Sequence, residues 1–377
     1  MKFLRAAACG AVVLALGACS LFGSSPRVIP PLKDKPGLHA LAPRWHEQFS
    51  EGDLLPLAPA VASGHVYVAR LDGEVLALDA ASGKTQWKID LRLPLSGGAG
   101  AGDGLVVVGA RDGSVIALDE NGQKRWQVAS GGGEISAAPL VADGIVAVRS
   151  GDGKLVGLSE SDGKVRWVIE RSLPPLTLYR ATSGLATRGA LFAGLPGGKL
   201  LAIAIEQGKV GWEATVALPR GATELERVSD VTGAPVAGER DICAATYQGR
   251  VACLDPSNGT PLWSREVSTV SGLGADAGRV YVADEKGTVY AWERASGSPA
   301  WKNEEFNGRR LIGALAAGGQ VVTGDLQGFV HWLDRSDGSI TARASTDGSS
   351  LTEGPIFLGD GVLVQTRKGG LYAFPMP

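Results

Sequence analysis

The stretch Val66-Tyr-Val-Ala-Arg-Leu-Asp-Gly-Glu-Val-Leu-Ala-Leu-Asp-Ala-Ala-Ser-Gly-Lys-Thr-Gln-Trp87 decides the fold. Two short apolar, β-prone runs flank Asp72-Gly73. That pair predicts a hairpin with a tight primed turn, because Asp-Gly accepts positive φ. A second turn at Ser82-Gly83 leads into a run carrying Trp87. With the apolar run that precedes the first turn, this makes about four strands in about 40 residues.

The unit returns along the chain. First-turn glycines stand at Gly73, Gly113, Gly153, Gly198, Gly249, Gly287 and Gly328. Second-turn glycines follow at Gly83, Gly122, Gly163, Gly208, Gly259, Gly297 and Gly338. Four residues after each comes Trp87, Trp126, Trp167, Trp212, Trp263, Trp301 and, in the seventh copy, Ala342. A period near 40 marks one supersecondary unit copied around a ring. No 3.6-residue apolar period is sustained beyond the extreme N-terminus, so the chain reads as all-β. Much of its glycine, 54 of 377 residues, is spent on turns. Four-stranded units of this length predict a β-propeller, with a solenoid of shorter repeats as the structural runner-up.

An eighth half-repeat, Val362 to Phe374, has its first turn at Gly369 and then the chain stops. Its Trp-bearing outer strand is missing, while Pro43-Arg-Trp45 stands alone before the first full repeat. We therefore expect an eight-bladed propeller of four-stranded blades over residues 41–377, closed by an N-terminal strand that completes the last blade and removes exposed edges. The Trp residues, Trp45 included, are expected to be structural, burying large amphipathic rings against the neighbouring blade.

At the N-terminus, Lys2-Phe-Leu-Arg5 and the apolar stretch to Leu16 read as a signal peptide over residues 1–18. Leu16-Gly17-Ala18-Cys19 has the lipobox pattern, so Cys19 is the expected lipidated first residue of the mature chain. Residues 19–40, rich in proline and serine, read as a flexible tether. No Asp follows Cys19, which favours the outer membrane over inner-membrane retention. Without Lys2 and Arg5 the chain keeps 35 basic against 39 acidic residues, a net charge of −4. No charge field argues for nucleic acid. Cys243 and Cys253 lie symmetrically about the middle of the fifth hairpin. Cross-strand opposition and an oxidising compartment permit a disulfide between them; two small buried residues are the alternative.

Catalytic motifs do not assemble. Ser82-Gly-Lys-Thr85 mimics the end of a P-loop, but Leu78 occupies the place of the first glycine. Gly98, Gly100 and Gly102 lack the strand and helix context of a dinucleotide site. His39, His46, His65 and His331 are scattered without metal spacing. No cofactor or metal is expected.

The repeat breaks in two places. First-turn glycines are spaced 40, 40, 45, 51, 38, 41 and 41. The extra residues fall in Arg171–Arg180 and Leu218–Asp230. Insertions in repeat folds map to loops on one face, often the binding face. Leu173, Leu176, Leu178 and Tyr179 make the first insertion apolar, with Arg171 and Arg180 at its ends. That is the composition of a protein-binding hot spot. The second is charged: Glu224, Glu226, Arg227 and Asp230.

Together, the lipobox at Cys19, eight repeats of the PQQ-like type, Trp45 as closing strand, Leu176-Thr-Leu178 and Thr223-Glu-Leu-Glu-Arg-Val-Ser-Asp-Val231 resemble the BamB family. These are lipoprotein propellers of the β-barrel assembly machinery in Gram-negative outer membranes. The resemblance covers essentially the whole chain. It implies a non-enzymatic scaffold on the periplasmic side of the outer membrane. Such a scaffold binds the periplasmic POTRA domains of BamA alongside other lipoproteins of the complex and helps deliver unfolded outer-membrane proteins. It further implies that Leu176 and Leu178 bury on BamA, with Arg180 and Asp230 as polar rim contacts. Tyr179 stands where the family has Arg, with Arg180 following; Thr232 stands where a second acidic residue is expected. Two other classes share the repeat. One is a periplasmic quinoprotein dehydrogenase, which needs a funnel insert with acidic metal ligands. The other is a ligand-binding or sensor propeller lipoprotein.

Overall fold

The computed structural model describes residues 29–33, 35–49, 57–178 and 184–377. Among the described residues its regular elements are strands in eight sheets, antiparallel except for one short parallel strand, His39–Ala40, at the edge of one of them. Blade 1 runs Ala60–Ala62, His65–Ala69, Glu74–Asp79 and Thr85–Asp90, from inner to outer strand. Blades 2 to 7 repeat this order, blade 7 with Ile312–Ala317, Gln320–Gly324, Phe329–Asp334 and Ile340–Ser345. Blade 8 takes Ile356–Phe357, Gly361–Gln365 and Gly370–Pro375, and its outer strand is Trp45–Gln48. That strand pairs antiparallel with the third, Trp45 opposite Ala373 and Gln48 opposite Gly370. The N-terminal strand thus closes the ring.

The second and third strands of each blade are almost wholly buried because each sheet is covered on both faces, while the short innermost strands are half-buried. Val66, Val68, Leu76 and Leu78 of blade 1 pack on Leu363, Leu371 and Ala373 of blade 8, while Tyr67, Val75 and Ala77 face Val106, Val108 and Ile116 of blade 2. Outer strands alternate, with only one face against a neighbour.

The Trp ladder links the blades. Trp45, Trp87, Trp126, Trp167, Trp212, Trp263 and Trp301 each donate the indole N–H to a carbonyl of the following blade: Ala80, Glu120, Glu160, Ile205, Pro256, Arg294 and Arg335, at 2.7 to 3.0 Å. The ring lies flat on the next blade's second-turn glycine. At Gly83, φ is +73° and a Cβ would stand 2.6 Å from the Trp45 ring, so both backbone conformation and space require glycine. This explains the constant four-residue offset: one residue makes the turn, and the same position is the seat for the preceding blade's Trp.

Ala342 has a physical reason. Blade 8 takes its outer strand from Trp45–Gln48 and not from a hairpin after its third strand, so it offers no second-turn glycine to receive an eighth Trp. Instead His39–Ala40 runs parallel along the outer strand of blade 7, His39 opposite Ala342. Leu41 and Met376 pack on the cluster containing Ala342, Trp332 and Phe374. Residues 35–40, expected within the tether, are instead tied to the ring: Lys35 pairs with Glu305 at 2.5 Å, and His39–Ala40 lie in a sheet.

The first turn also differs from expectation. Gly73 alone has positive φ, +106°, and Asp72 does not. The Gly73 N–H donates to the Arg70 carbonyl at 3.1 Å and the Arg70 N–H to the Glu74 carbonyl at 2.8 Å. This is a type I turn closed by a glycine bulge, not a primed turn. Asp72 serves through its side chain, accepting the Glu74 N–H at 3.1 Å.

A buried polar cluster sits in blade 7. Asp325 accepts from Arg309 Nε at 2.7 Å and meets His331 Nε2 at 3.1 Å, all three residues essentially without solvent contact. Burial holds the His331 pKa below its ordinary value, against the attraction of Asp325. The unfolded chain then binds a proton below about pH 6.5 that the folded ring refuses. Stability should fall as pH drops from 7 towards 5. His331→Gln, whatever its own cost, should flatten the slope of unfolding free energy against pH in that window; an unchanged slope would assign it to other groups.

Candidate functional site

Both long connectors lie on the face that carries the first-turn hairpins. The first leaves the outer strand of blade 3, Val165–Glu170, and settles on the hairpin of its own blade. The Arg171 N–H donates to the Gly153 carbonyl at 3.2 Å, and a Cβ on Gly153 would meet Leu173 at 3.2 Å. The second ends on the hairpin of blade 4, where a Cβ on Gly198 would meet the Ser229 carbonyl at 3.0 Å.

Asp230 joins the two. One carboxylate oxygen accepts the Leu178 N–H at 2.6 Å and the other the Gly197 N–H at 3.0 Å. Asp230 is only 5% exposed. The expected polar rim contact is thus corrected. Both oxygens are spent inside the protein, so Asp230 acts by fixing the backbone of the leucine connector. Thr232 is equally buried and donates its hydroxyl to the Thr269 carbonyl at 2.9 Å. It belongs to the junction of blades 5 and 6.

Beneath this bond lies a cleft of about 230 Å³, lined by Ser96, Glu134, Arg149, Leu173, Leu178 and Asp230, among others. Arg149 forms part of its wall, nearly buried, and donates to the Gly194 carbonyl at 2.6 Å. Burial pulls its pKa below the ordinary value while the Asp230 charge opposes that shift. The two buried charges offset one another across the cleft.

The apolar groups rise around it. Leu176 is 46% and Leu173 40% exposed, while Leu178 is half-buried against the cleft. Tyr179, Arg180 and Cys19 lie outside the described residues. Sequence reasoning missed Leu218 and Leu225 of the second connector, 67% and 70% exposed. The available signal was Thr223-x-x-Glu226, a capping-box pattern that forms a turn and thrusts the intervening leucine outward.

Cys243 and Cys253 stand directly opposite on adjacent strands and are joined by a disulfide. Asp241 lies close to both sulfurs. Its carboxylate is bound by Arg294, Nη2 to Oδ1 at 2.7 Å, in a buried pair that braces blade 5 against blade 6.

Comparison with known proteins gives a consistent result. The family model described as outer membrane protein assembly factor BamB matches residues 41–92 and 71–303. The outer membrane protein assembly factor BamB of Nitrosomonas eutropha is 41% identical over 340 residues, 90% of this chain and 83% of its own. The crystal structure of BamB from Moraxella catarrhalis superposes with a TM-score of 0.80 at 25% identity, covering 89% of this chain and all of the other. A quinohaemoprotein alcohol dehydrogenase from Comamonas testosteroni has a TM-score of 0.69 at 16% identity, over 89% of this chain and 76% of its own, which shows a shared fold alone. With its eight closed blades, its Trp ladder and these matches, the chain belongs to the BamB family of outer membrane protein assembly factors.

Proposed function

We propose that this protein is a non-catalytic scaffold of the outer-membrane β-barrel assembly complex, docking on the periplasmic POTRA domains of BamA through its first long connector. The observation that carries this is the connector itself. It departs from an otherwise regular repeat, presents Leu173 and Leu176 to solvent, and is held by a buried carboxylate on the Leu178 amide. An apolar group fixed in place loses little entropy on binding, which is what a docking anchor requires. The names of the relatives support the assembly role. Cys19 is the proposed lipid anchor, placing the ring on the periplasmic face of the outer membrane, and Arg180 supplies the polar contact of the family's Arg. The dehydrogenase reading rests on fold likeness alone.

The full chain in detergent should bind the BamA periplasmic domains, and Leu176→Asp should weaken that binding by about 2 kcal/mol or more. Its melting temperature should not move, because nearly half of the side chain is already in water. Unaltered affinity would remove this surface as the docking site.

A further inference from the structure

We infer that Leu225, on the second long connector, is a second apolar anchor for the same partner. Docking then uses two connectors that meet at Asp230. This rests on the reading above and adds a surface to it.

Leu218–Asp230 is the largest departure from the repeat, and its charge suggests a solvated loop. The structure accounts for that charge differently. The Glu226 N–H donates to Thr223 Oγ1 at 3.3 Å, while Glu226 Oε2 accepts the N–H groups of Ala222 at 2.7 Å and Thr223 at 3.1 Å. This is a reciprocal capping box around a single turn. Arg227 Nε donates to the Gly221 carbonyl at 3.0 Å, and Nη1 reaches Glu224 at 3.4 Å. Arg220 reaches Glu266 of blade 5 at 3.5 Å. The charged groups are engaged in shaping and seating the turn.

What the turn displays is leucine. Leu225 and Leu218 are the two most exposed large apolar side chains among the described residues. A leucine on a braced turn is suited to an apolar recess of a folded protein, because little freedom is lost on burial. Anionic or cationic ligands would need the charges that the turn already uses. The occupant is the partner seated on the first connector, because the two connectors are one physical unit. Asp230 ends the second and holds Leu178 of the first at 2.6 Å.

The test titrates purified BamA periplasmic domains into the full chain in detergent: wild type, Leu176→Asp, Leu225→Asp, Thr223→Val and Phe357→Ser. Phe357, 43% exposed on blade 8, is the control for an exposed apolar side chain remote from both connectors. Leu225→Asp should weaken binding about tenfold or more, as loss of an anchor does, with the melting temperature unchanged. Thr223→Val, which keeps the leucine but loosens its turn, should fall between Leu225→Asp and wild type. Phe357→Ser should bind as wild type. Loss with Leu176→Asp but not with Leu225→Asp overturns this inference and leaves the proposed function standing. Absence of wild-type binding overturns both. If Leu225→Asp instead abolishes self-association and leaves partner affinity intact, the occupant is a second copy of this chain and the inference falls.

Discussion

Deleting residues 1–50 should open the ring and lower the melting temperature by roughly 10 °C or more. The deletion removes the outer strand of blade 8, leaving the strand from Gly370 to Pro375 with an unpaired edge. It also removes Trp45, 8% exposed, which packs on Val66 and Leu76 of blade 1, donates to the Ala80 carbonyl at 2.9 Å and covers Gly83. Losing a buried Trp side chain alone costs about 3–5 kcal/mol, and each kcal/mol shifts the midpoint by about 2–4 °C in domains of 150–250 residues, somewhat less in larger ones. A chain starting at Lys33 keeps both the closing strand and the segment along blade 7, so it should melt with the full chain. A start at residue 43 loses His39–Ala40 and Leu41 and should fall in between. Calorimetry of the three distinguishes closure from a general effect of shortening. Equal midpoints for the chains starting at 33 and 51 would show that the ring does not depend on its N-terminal strand.

Asp325→Ala should cost about 3–5 kcal/mol, more than any exposed charge in the protein, because it removes one partner of a buried pair. Asp325 is fully buried and serves four donors: Arg309 Nε, His331 Nε2 and the amides of Gln327 and Phe329. Its carboxyl is held below the ordinary value by His331 and Arg309 although burial pushes it up, so the charged form is the one the site was built around. Replacement strips the buried guanidinium of its carboxylate. Arg309→Met added to Asp325→Ala should recover part of the loss, since an apolar pair carries no desolvation penalty. Asp360 is the contrast. It pairs with Arg44 at 2.6 Å, but with a side chain 73% exposed. Asp360→Ala should change stability by under about 1 kcal/mol. Urea unfolding of the three variants beside wild type measures this directly. A small effect at Asp325 would mean that water enters the cluster and replaces the carboxylate.

The architecture was legible because its signals are local. Asx-Gly pairs state where the chain turns, and the four-residue step from Gly83 to Trp87 recurs because each blade repeats the same covalent path. Blade number and the closing strand followed from a half-repeat at one end and an orphan Trp45 at the other. The connectors were legible as interruptions of that period, and Leu176 as an apolar residue where a loop should be polar.

Through-space partners were not legible. The type I turn at Arg70–Gly73 was hidden because Asp-Gly suits two turns and the register of the flanking strands selects between them. Ala342 read as an imperfect repeat; only the tertiary structure shows that the missing hairpin of blade 8 leaves a Trp there without a seat. Asp230 looked like a surface acid in a charged segment, yet amides 52 and 33 residues away in the chain take up its oxygens. Leu225 sits in a segment whose composition reads as charged, and a local cap turns it outward. Composition and period are written in the order of residues, so the sequence determined the blades, their number and the ring. Burial depends on what the ring brings beside each side chain, so only the tertiary structure decided which residues of the two connectors face a partner and which hold those residues in place.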